Sequence, residues 1–179
     1  MGTQRITLDE LRQLAARARG NIDKIYLHWS AGNYHQFFSD YHLNIDSDGA
    51  VMATTDDLTE YKAHTLRRNS RAIGIALACC VDAVAYADGR VDFGNVPPTE
   101  LQIDSMAKVV AVLCEELRLD INAGTVMTHA EAADLDDYGP ATTFERWDLW
   151  KLPDIPGDGK LKPGGDVIRG KAIWWHHNW

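Results

Sequence analysis

The sequence predicts an α/β fold in which helices cover a central mixed β-sheet. Helical and strand patterns alternate along the 179 residues, and this alternation is typical of a sheet layered against helices. The segment Ala72–Val81 is almost continuously apolar, as expected of a central strand that is covered on both faces. The segment Glu100–Leu119 follows a Pro-Pro-Thr sequence and carries apolar residues at helical spacing, which predicts a long covering helix.

The amino-terminal part begins with a predicted helix and a predicted strand. Thr7 and Glu10 have the spacing of a capping box, and the pattern that follows predicts a helix over about Leu8–Arg19. Lys24–Trp29 is rich in branched and aromatic residues and ends at Ser-Ala-Gly, so it is predicted to be a buried strand. His28 lies at the carboxyl end of this strand, where a valine would pack without a desolvation cost.

Two further strand signals follow along the chain. An Asp-Gly turn between alternating segments predicts a hairpin of Tyr41–Asp46 and Ala50–Ala53. After the long helix, Thr125–Thr128 is a short predicted strand that ends at His129. Two predicted strands therefore end in a histidine, and both imidazoles could meet at one edge of the sheet.

The carboxyl-terminal part has weaker patterns. From Ala130 onward the chain is rich in acidic residues, proline and glycine, and is predicted to be mostly loop. A last short strand, Lys171–Trp175, is predicted to rejoin the sheet. The length favours one domain over residues 1–179, with an irregular segment from about residue 150.

Composition limits the partners that the chain can have. The 18 Lys+Arg and 26 Asp+Glu residues give a formal net charge of -8, which argues against nucleic acid and anionic membranes and favours a neutral or zwitterionic substrate. No stretch resembles a signal peptide or a membrane span, so we expect synthesis in the cytoplasm without a membrane anchor. Cys79, Cys80 and Cys114 lack the spacing of a metal or disulfide motif and are expected to be reduced, packed thiols.

A candidate metal site combines the two strand-ending histidines with a carboxylate. Asp148 lies in the aromatic-rich segment Phe144–Trp150, which would hold a carboxylate rigidly. Two imidazoles and one carboxylate are a common ligand set for catalytic zinc, which keeps a fourth position for water. The alternative is that each histidine is simply a packed residue, and the terminal pair His176 and His177 could bind metal adventitiously.

Five sequence motifs make the site more specific. In order they are LHWSAG, YHLNIDSDGAV, HTLRRNSRAIGIAL, MTHAEA and RWD. Together they resemble the zinc amidases that cleave N-acetylmuramoyl-L-alanine bonds, a family that includes phage endolysins, cell-wall recycling amidases and peptidoglycan recognition proteins. The resemblance covers about Lys24 to Asp148 and implies the type 2 amidase, or peptidoglycan recognition protein, fold.

The resemblance also implies roles for individual residues. His28, His129 and Asp148 would ligate Zn²⁺. Tyr41 and Arg146 would line the reacting bond as catalytic residues, although Tyr41 could be an ordinary strand aromatic and Arg146 could pair with Glu145 or Asp148. A further implied residue is His64, which matches the substrate-groove histidine of the family, while His35 and His42 are expected to be structural or exposed.

The sequence departs from its relatives at two positions. Some relatives carry a glutamate, proposed to act on the zinc-bound water, where this chain has Ala76. Many relatives have lysine where this chain has Arg146, and arginine keeps the positive charge but cannot transfer a proton. Glu131 is a candidate replacement base, although a side chain next to a ligand normally points away from it.

The resemblance implies a peptidoglycan or muropeptide substrate, and we expect the protein to be a monomer. A phage or prophage endolysin is the first reading, because no signal peptide, wall-binding repeat or anchor was found. Three alternatives remain open at this point: a cytoplasmic muropeptide-recycling amidase, a metal-free peptidoglycan-binding module, and a zinc peptidase that cuts within the stem peptide.

Overall fold

The computed structural model describes residues 2–179. Its strands are β1 (Gln4–Ile6), β2 (Lys24–Trp29), β3 (Leu43–Ile45), β4 (Val51–Ala53), β5 (Ala72–Leu77), β6 (Val84–Ala85), β7 (Val91–Asp92), β8 (Val126–Thr128), β9 (Lys151–Pro153) and β10 (Leu161–Pro163). Its helices are α1 (Leu8–Ala18), α2 (Glu100–Leu117), α3 (His129–Leu135) and α4 (Gly164–Asn178).

Six strands form one mixed sheet in the order β1-β4-β3-β5-β2-β8. Strand β2 lies parallel to both β5 and β8, and β3 is parallel to β5, whereas β4 runs antiparallel to β3 and to β1. The remaining strands form two small ribbons, β6 with β7 and β9 with β10. The predicted α/β class with a central mixed sheet is confirmed, and the carboxyl ends of β2 and β8 lie side by side.

The two faces of the sheet bury different side chains, because successive strand residues point in opposite directions. Ile25 and Leu27 of β2 and Ile73 of β5 belong to the large core shared with α2, which is flanked by α1 and α4. Tyr26 instead belongs to a small apolar cluster on the other face. His28 follows Tyr26 by two residues and therefore lies on this second face.

Most predicted elements of the first two thirds are confirmed. Helix α1 begins with the predicted capping box at Thr7, and the Asp-Gly hairpin pairs β3 with β4. The central strand β5 ends at Leu77, short of the predicted Val81, because Cys80 adopts a left-handed conformation with φ 72° and its N–H donates to Val96. Cys79, Cys80 and Cys114 are buried and are free thiols.

The carboxyl-terminal part is more ordered than predicted. Lys171–Trp175 is not a strand but lies within α4, which buries Val167, Ile168 and Ala172 against the core. The short apolar and aromatic run has no periodicity that separates strand from helix, so the prediction was wrong. Residues from Ala130 begin with α3 rather than loop, and the segment from about 150 contains β9, β10 and α4.

Among residues 2–179, no helix combines the length and the apolar character that a bilayer crossing requires.

Candidate metal centre

His28 is held at the end of β2 in a completely buried position. Its ring Nδ1 lies 2.9 Å from Asp148 Oδ2, and its Nε2 lies 3.3 Å from the hydroxyl oxygen of Thr65. Burial lowers the pKa of His28, and the neighbouring Asp148 carboxylate only partly opposes this shift. The imidazole is therefore neutral at physiological pH, which is the form that can offer a lone pair to a metal.

His129 is presented by the junction between β8 and α3. It is the first residue of α3, and Thr128 caps the helix through the reciprocal hydrogen bonds of a capping box with Glu131. Because β8 pairs with β2, this junction lies beside the end of β2. The His129 ring is 9 % exposed, and its Nδ1 lies 3.2 Å from the same Asp148 oxygen.

Asp148 reaches the site from the long connection between α3 and β9. Phe144, Arg146 and Leu149 all have positive φ, at 60°, 54° and 59°, a conformation that non-glycine residues adopt at a cost. Aromatic packing of Phe144 against Trp147 and Trp150 holds this backbone in place. The sequence prediction of a rigid aromatic loop thus describes the local structure well.

The Asp148 carboxylate is buried between the two imidazoles. Burial raises its pKa, but the adjacent His129 and His28 rings lower it more, so the net pKa lies well below the usual aspartate range. One ligand atom from each of His28, His129 and Asp148 lies within 4.8 Å of the others. This donor set of two imidazoles and one carboxylate fits a zinc ion that keeps a fourth, open position. The structure brings the three predicted ligands together, and their role as ligands stays a prediction.

A groove runs across this cluster. It consists of two cavities of about 380 Å³ and about 360 Å³, which share Tyr41, His64, His129 and Arg146 as lining residues. The first cavity continues to Val81 and Trp147, and the second to Asp40, Leu66 and Asn69. The groove is therefore open on both sides of the candidate centre.

Tyr41 and Arg146 line both halves of the groove. The Tyr41 ring is 4.9 Å from the His28 ring. Burial, together with the nearby Asp148 carboxylate, raises the Tyr41 pKa far above its ordinary value, so the phenol stays protonated. Arg146 is exposed and belongs to none of the ion pairs formed within residues 2–179, and Glu145 instead accepts a hydrogen bond from Thr143. Its guanidinium is thus available to a ligand in the groove.

His64 lies flat over β5 at Gly74. A Cβ atom at Gly74 would come within 2.6 Å of the His64 ring, so only glycine leaves room for the imidazole. Burial and the neighbouring imidazoles of His28, His42 and His129 lower the pKa of His64 to about 2. His64 is consequently a neutral ring that lines both cavities.

A comparison with family models decides the classification. The model of the N-acetylmuramoyl-L-alanine amidase family matches residues 15–143, well over half of the chain. The chain belongs to this amidase family. The match confirms the family predicted from the sequence, and it supports an amidase activity on peptidoglycan. A comparison with curated proteins finds no match.

The matched span of the amidase contains four of the six predicted site residues. It includes His28, Tyr41, His64 and His129 and ends before Arg146 and Asp148. The third candidate ligand thus comes from a part of this amidase that the family model does not reach, and only the fold connects it with the other two.

The two candidates for an additional base have different surroundings in this amidase. Ala76 lies opposite His28 in the β2–β5 register and is completely buried, so this position offers no proton acceptor. Glu131 is paired with Arg169, whose two terminal nitrogens each lie 2.8 Å from a carboxylate oxygen. His176 and His177 are exposed in the last turn of α4, outside the cluster.

Sequence reasoning missed two hydroxyl groups near the centre. Thr65 is 1 % exposed and contacts both His28 and His64. Tyr138 has a buried hydroxyl without a hydrogen-bond partner among residues 2–179, and its ring lies 6.3 Å from that of His129. Neither residue occupies a spacing that carries a signal in the sequence, because the fold, and not a local motif, brings these hydroxyls to the imidazoles.

Proposed function

We propose that this protein is a zinc-dependent N-acetylmuramoyl-L-alanine amidase. It hydrolyses the amide bond between the lactyl group of N-acetylmuramic acid and the L-alanine of the stem peptide. One observation carries the proposal: the ligand atoms of His28, His129 and Asp148 lie within 4.8 Å of one another, in a groove that Tyr41 and Arg146 line. Family membership supports the peptidoglycan substrate.

His28 and Asp148 are in the forms that metal binding requires. His28 is neutral because of its burial, and Asp148 is ionised because both rings stabilise its negative charge. Zinc, when bound, supplies a Lewis acid that activates water and polarises a carbonyl near neutral pH. The open groove on both sides leaves space for the substrate amide beside the three ligands.

Arg146 and Tyr41 supply the remaining polar groups. Attack of water on the lactyl carbonyl creates a negative oxygen, and the unpaired guanidinium of Arg146 stabilises this charge. Tyr41 remains a neutral phenol and donates a hydrogen bond to the same oxygen or to the departing nitrogen. The nitrogen leaves as a free amine with the proton that the attacking water loses. The products are a lactyl-bearing glycan and a stem peptide with a free L-alanine amino group.

Neither of the two positions considered for an additional carboxylate base provides a free one. Ala76 has no polar group, and the Glu131 carboxylate is occupied by Arg169. We therefore propose that neither position takes a proton from the attacking water, that a bound zinc ion would supply this activation, and that Tyr41 acts only as a hydrogen-bond donor.

We propose that the protein acts as a monomer and that it hydrolyses intact peptidoglycan, as an endolysin does. The groove continues beyond the shared residues in both directions, as a polymer with glycan and peptide arms requires. A recycling amidase would instead prefer small soluble anhydro-muropeptides.

The test is a digest of purified sacculi and of soluble anhydro-muropeptides, with product masses read out. The protein is used as purified, after chelation, and after zinc is restored. The proposal expects a free stem peptide that begins with L-alanine, loss of products with chelator, and recovery with zinc. Cleavage within the stem peptide would show a zinc peptidase. Binding to sacculi without cleavage by the zinc-loaded protein would show a binding module.

A further inference from the structure

The Thr65 hydroxyl connects the proposed metal ligand His28 with the groove residue His64. Its oxygen lies 3.3 Å from His28 Nε2 and 2.9 Å from His64 Nδ1. Thr65 is 1 % exposed, so water does not compete for these contacts. The Asn69 side chain accepts from the backbone N–H groups of His64 and Thr65 and holds both residues in place.

A single hydroxyl links the hydrogen positions of the two rings. It carries one hydrogen and can donate to only one imidazole, while its lone pairs accept from the other. A neutral imidazole has one N–H and one bare nitrogen. When His28 presents a bare Nε2 to Thr65, His64 must present Nδ1–H, and when His28 presents Nε2–H, His64 must present a bare Nδ1.

Asp148 determines the arrangement without metal. Its carboxylate oxygen lies 2.9 Å from His28 Nδ1, and an ionised carboxylate can only accept, so His28 carries its hydrogen on Nδ1. Thr65 then donates to the bare His28 Nε2 and accepts from His64 Nδ1–H. His64 Nε2 is left as the bare nitrogen.

Ligation of a metal through His28 Nδ1 reverses this arrangement. Nδ1 can ligate only as the bare nitrogen, so the hydrogen of His28 must reside on Nε2 and point to Thr65. Thr65 in turn donates to His64 Nδ1, and His64 carries its hydrogen on Nε2. One proton leaves His28 Nδ1 for solvent and one is taken up from solvent at His64 Nε2, so the three side chains hold three such hydrogens in both arrangements.

We propose that Thr65 is a positioning residue that couples His64 to the metal centre, so that metal binding moves the His64 hydrogen from Nδ1 to Nε2. This inference rests on the metal site of the proposed function. Nε2 of His64 is buried and has no partner among residues 2–179, and the ring lines both halves of the groove. The loaded protein thus has a hydrogen at this buried atom, where the metal-free protein has a bare nitrogen.

The test is ¹⁵N NMR of histidine-labelled protein, with and without one equivalent of zinc. The two nitrogens of a neutral imidazole differ widely in chemical shift according to which one carries the hydrogen. We expect His64 to exchange its protonated nitrogen on zinc addition. His42 is an internal control, because Gly74 N–H donates to its Nδ1 at 3.0 Å and its Nε2 donates to the Glu60 carbonyl at 2.7 Å. Its tautomer should not change.

Two variants distinguish the effect of the Thr65 hydroxyl from the effect of the shape of its side chain. Thr65→Val keeps the shape and removes the coupling, so the His64 tautomer should no longer respond to zinc. Outer-shell partners of metal-bound histidines typically contribute about 10- to 100-fold in metal affinity, and zinc affinity measured by chelator competition should fall by that factor. Thr65→Ser keeps the hydroxyl and should retain both the tautomer exchange and an affinity within a few-fold of the parent.

The outcomes distinguish this inference from the proposed function. If zinc changes the His28 and His129 signals but leaves the His64 tautomer unchanged, the coupling is wrong and the metal site stands. If His64 still exchanges its hydrogen in Thr65→Val, another route connects the rings and the role of Thr65 is overturned. If zinc changes neither His28 nor His129, the metal site is wrong and the coupling is overturned with it.

Discussion

One oxygen of Asp148 contacts both imidazoles of the candidate centre, at 2.9 Å from His28 and 3.2 Å from His129. A largely buried carboxylate is costly to folding unless it is paired or holds a cation. The arrangement of these three side chains fits the proposed ligand set, and the polar groups around it can be tested one at a time.

The three proposed ligands should be individually indispensable. His28→Ala, His129→Ala and Asp148→Ala should each abolish hydrolysis of sacculi and lower bound zinc from one equivalent toward none, as measured by elemental analysis after dialysis. The paired variant His176→Ala with His177→Ala is the control and should keep both properties. An essential terminal pair combined with a dispensable Asp148 would show that the ligands are assigned to the wrong residues.

Arg146 should affect turnover without affecting the metal. Removal of one group that stabilises an oxyanion typically costs ~100- to 1000-fold in turnover, so Arg146→Ala should fall in that range with zinc content unchanged. Arg146→Lys restores the charge and should recover much of the rate. A loss of only a few-fold in Arg146→Ala would place this residue outside the reaction.

Tyr41 should contribute a hydrogen bond and no titration near neutral pH. Because burial raises its pKa, the Tyr41 phenol is protonated on both sides of neutrality. A group that does not ionise in this range cannot cause the rise of the rate with pH on the acidic side of the profile, the acidic limb. Tyr41→Phe should lower turnover but leave the pH of half-maximal rate where it was. The measurement is the rate between pH 5 and 9, and a moved acidic limb would identify Tyr41 as a base.

Residues of the candidate site could be predicted from the sequence only where they belong to a recognisable motif. His28, His129 and Asp148 stand in motifs that resemble the family, and the structure brings them together. Thr65 and Tyr138 were missed because a hydroxyl near a histidine in space leaves no periodic trace in the sequence. Thr65 meets His28 of β2 across a separation of 37 residues, whereas Tyr138 follows α3 and turns back toward His129 at the start of that helix.

At the scale of elements, α4 supports the junction that presents His129. Arg169 of α4 is 8 % exposed and donates to the backbone carbonyl of Val126 in β8 and to the carboxylate of Glu131 in α3. One guanidinium thus holds the strand and the helix between which the proposed ligand lies. Glu131 has this structural partner, which explains why it is unsuited to act as a base.

The Arg169–Glu131 pair should therefore affect stability rather than the pH profile. Breaking a buried ion pair costs roughly 3–5 kcal/mol, and we expect about 3 kcal/mol for Arg169→Met because Glu131 retains 36 % side-chain exposure. Urea unfolding measures the change. The control is Asp166→Asn, which alters a 72 % exposed partner of the same arginine and should cost little.

Glu131→Gln tests the same ion pair by changing its acidic partner. It should lower stability in the same direction as Arg169→Met while the acidic limb of the rate profile stays in place. Disappearance of that limb in Glu131→Gln would mean that a protein carboxylate activates the water.

Prediction of the elements succeeded where a cap or a turn marked them. Thr7 with Glu10 and the Asp-Gly hairpin are local signals, and local hydrogen bonds decide those structures. Helix α4 was missed because Lys171–Trp175 has no distinct period and because Pro163 precedes the helix without a side-chain cap. Packing of α4 against α2 and β8 decides its structure, and that information lies in distant residues.

At the scale of the whole molecule, metal binding should stabilise the fold by mass action. A ligand at 100 times its Kd that binds only the native state adds about 2.7 kcal/mol, which raises Tm by roughly 5–10 °C for a chain of this size. Thermal unfolding with zinc, and again after chelation, should show this rise and its loss. Asp148→Ala should unfold at the same temperature under both conditions. A zinc-dependent rise that persists in this variant would locate the metal elsewhere, for example at His176 and His177.

The support that Arg169 gives to the β8–α3 junction has a consequence for the biosynthesis of the protein. His28 is translated before Asp148, and Asp148 before Arg169. Because domains fold as units once their parts are available, the proposed metal centre is complete and supported only after translation has passed Arg169. A nascent chain, or a fragment cut between Asp148 and Arg169, contains the three proposed ligands but lacks the arginine that holds the β8–α3 junction. The order of synthesis thus delays assembly of the proposed centre until Arg169 has been added.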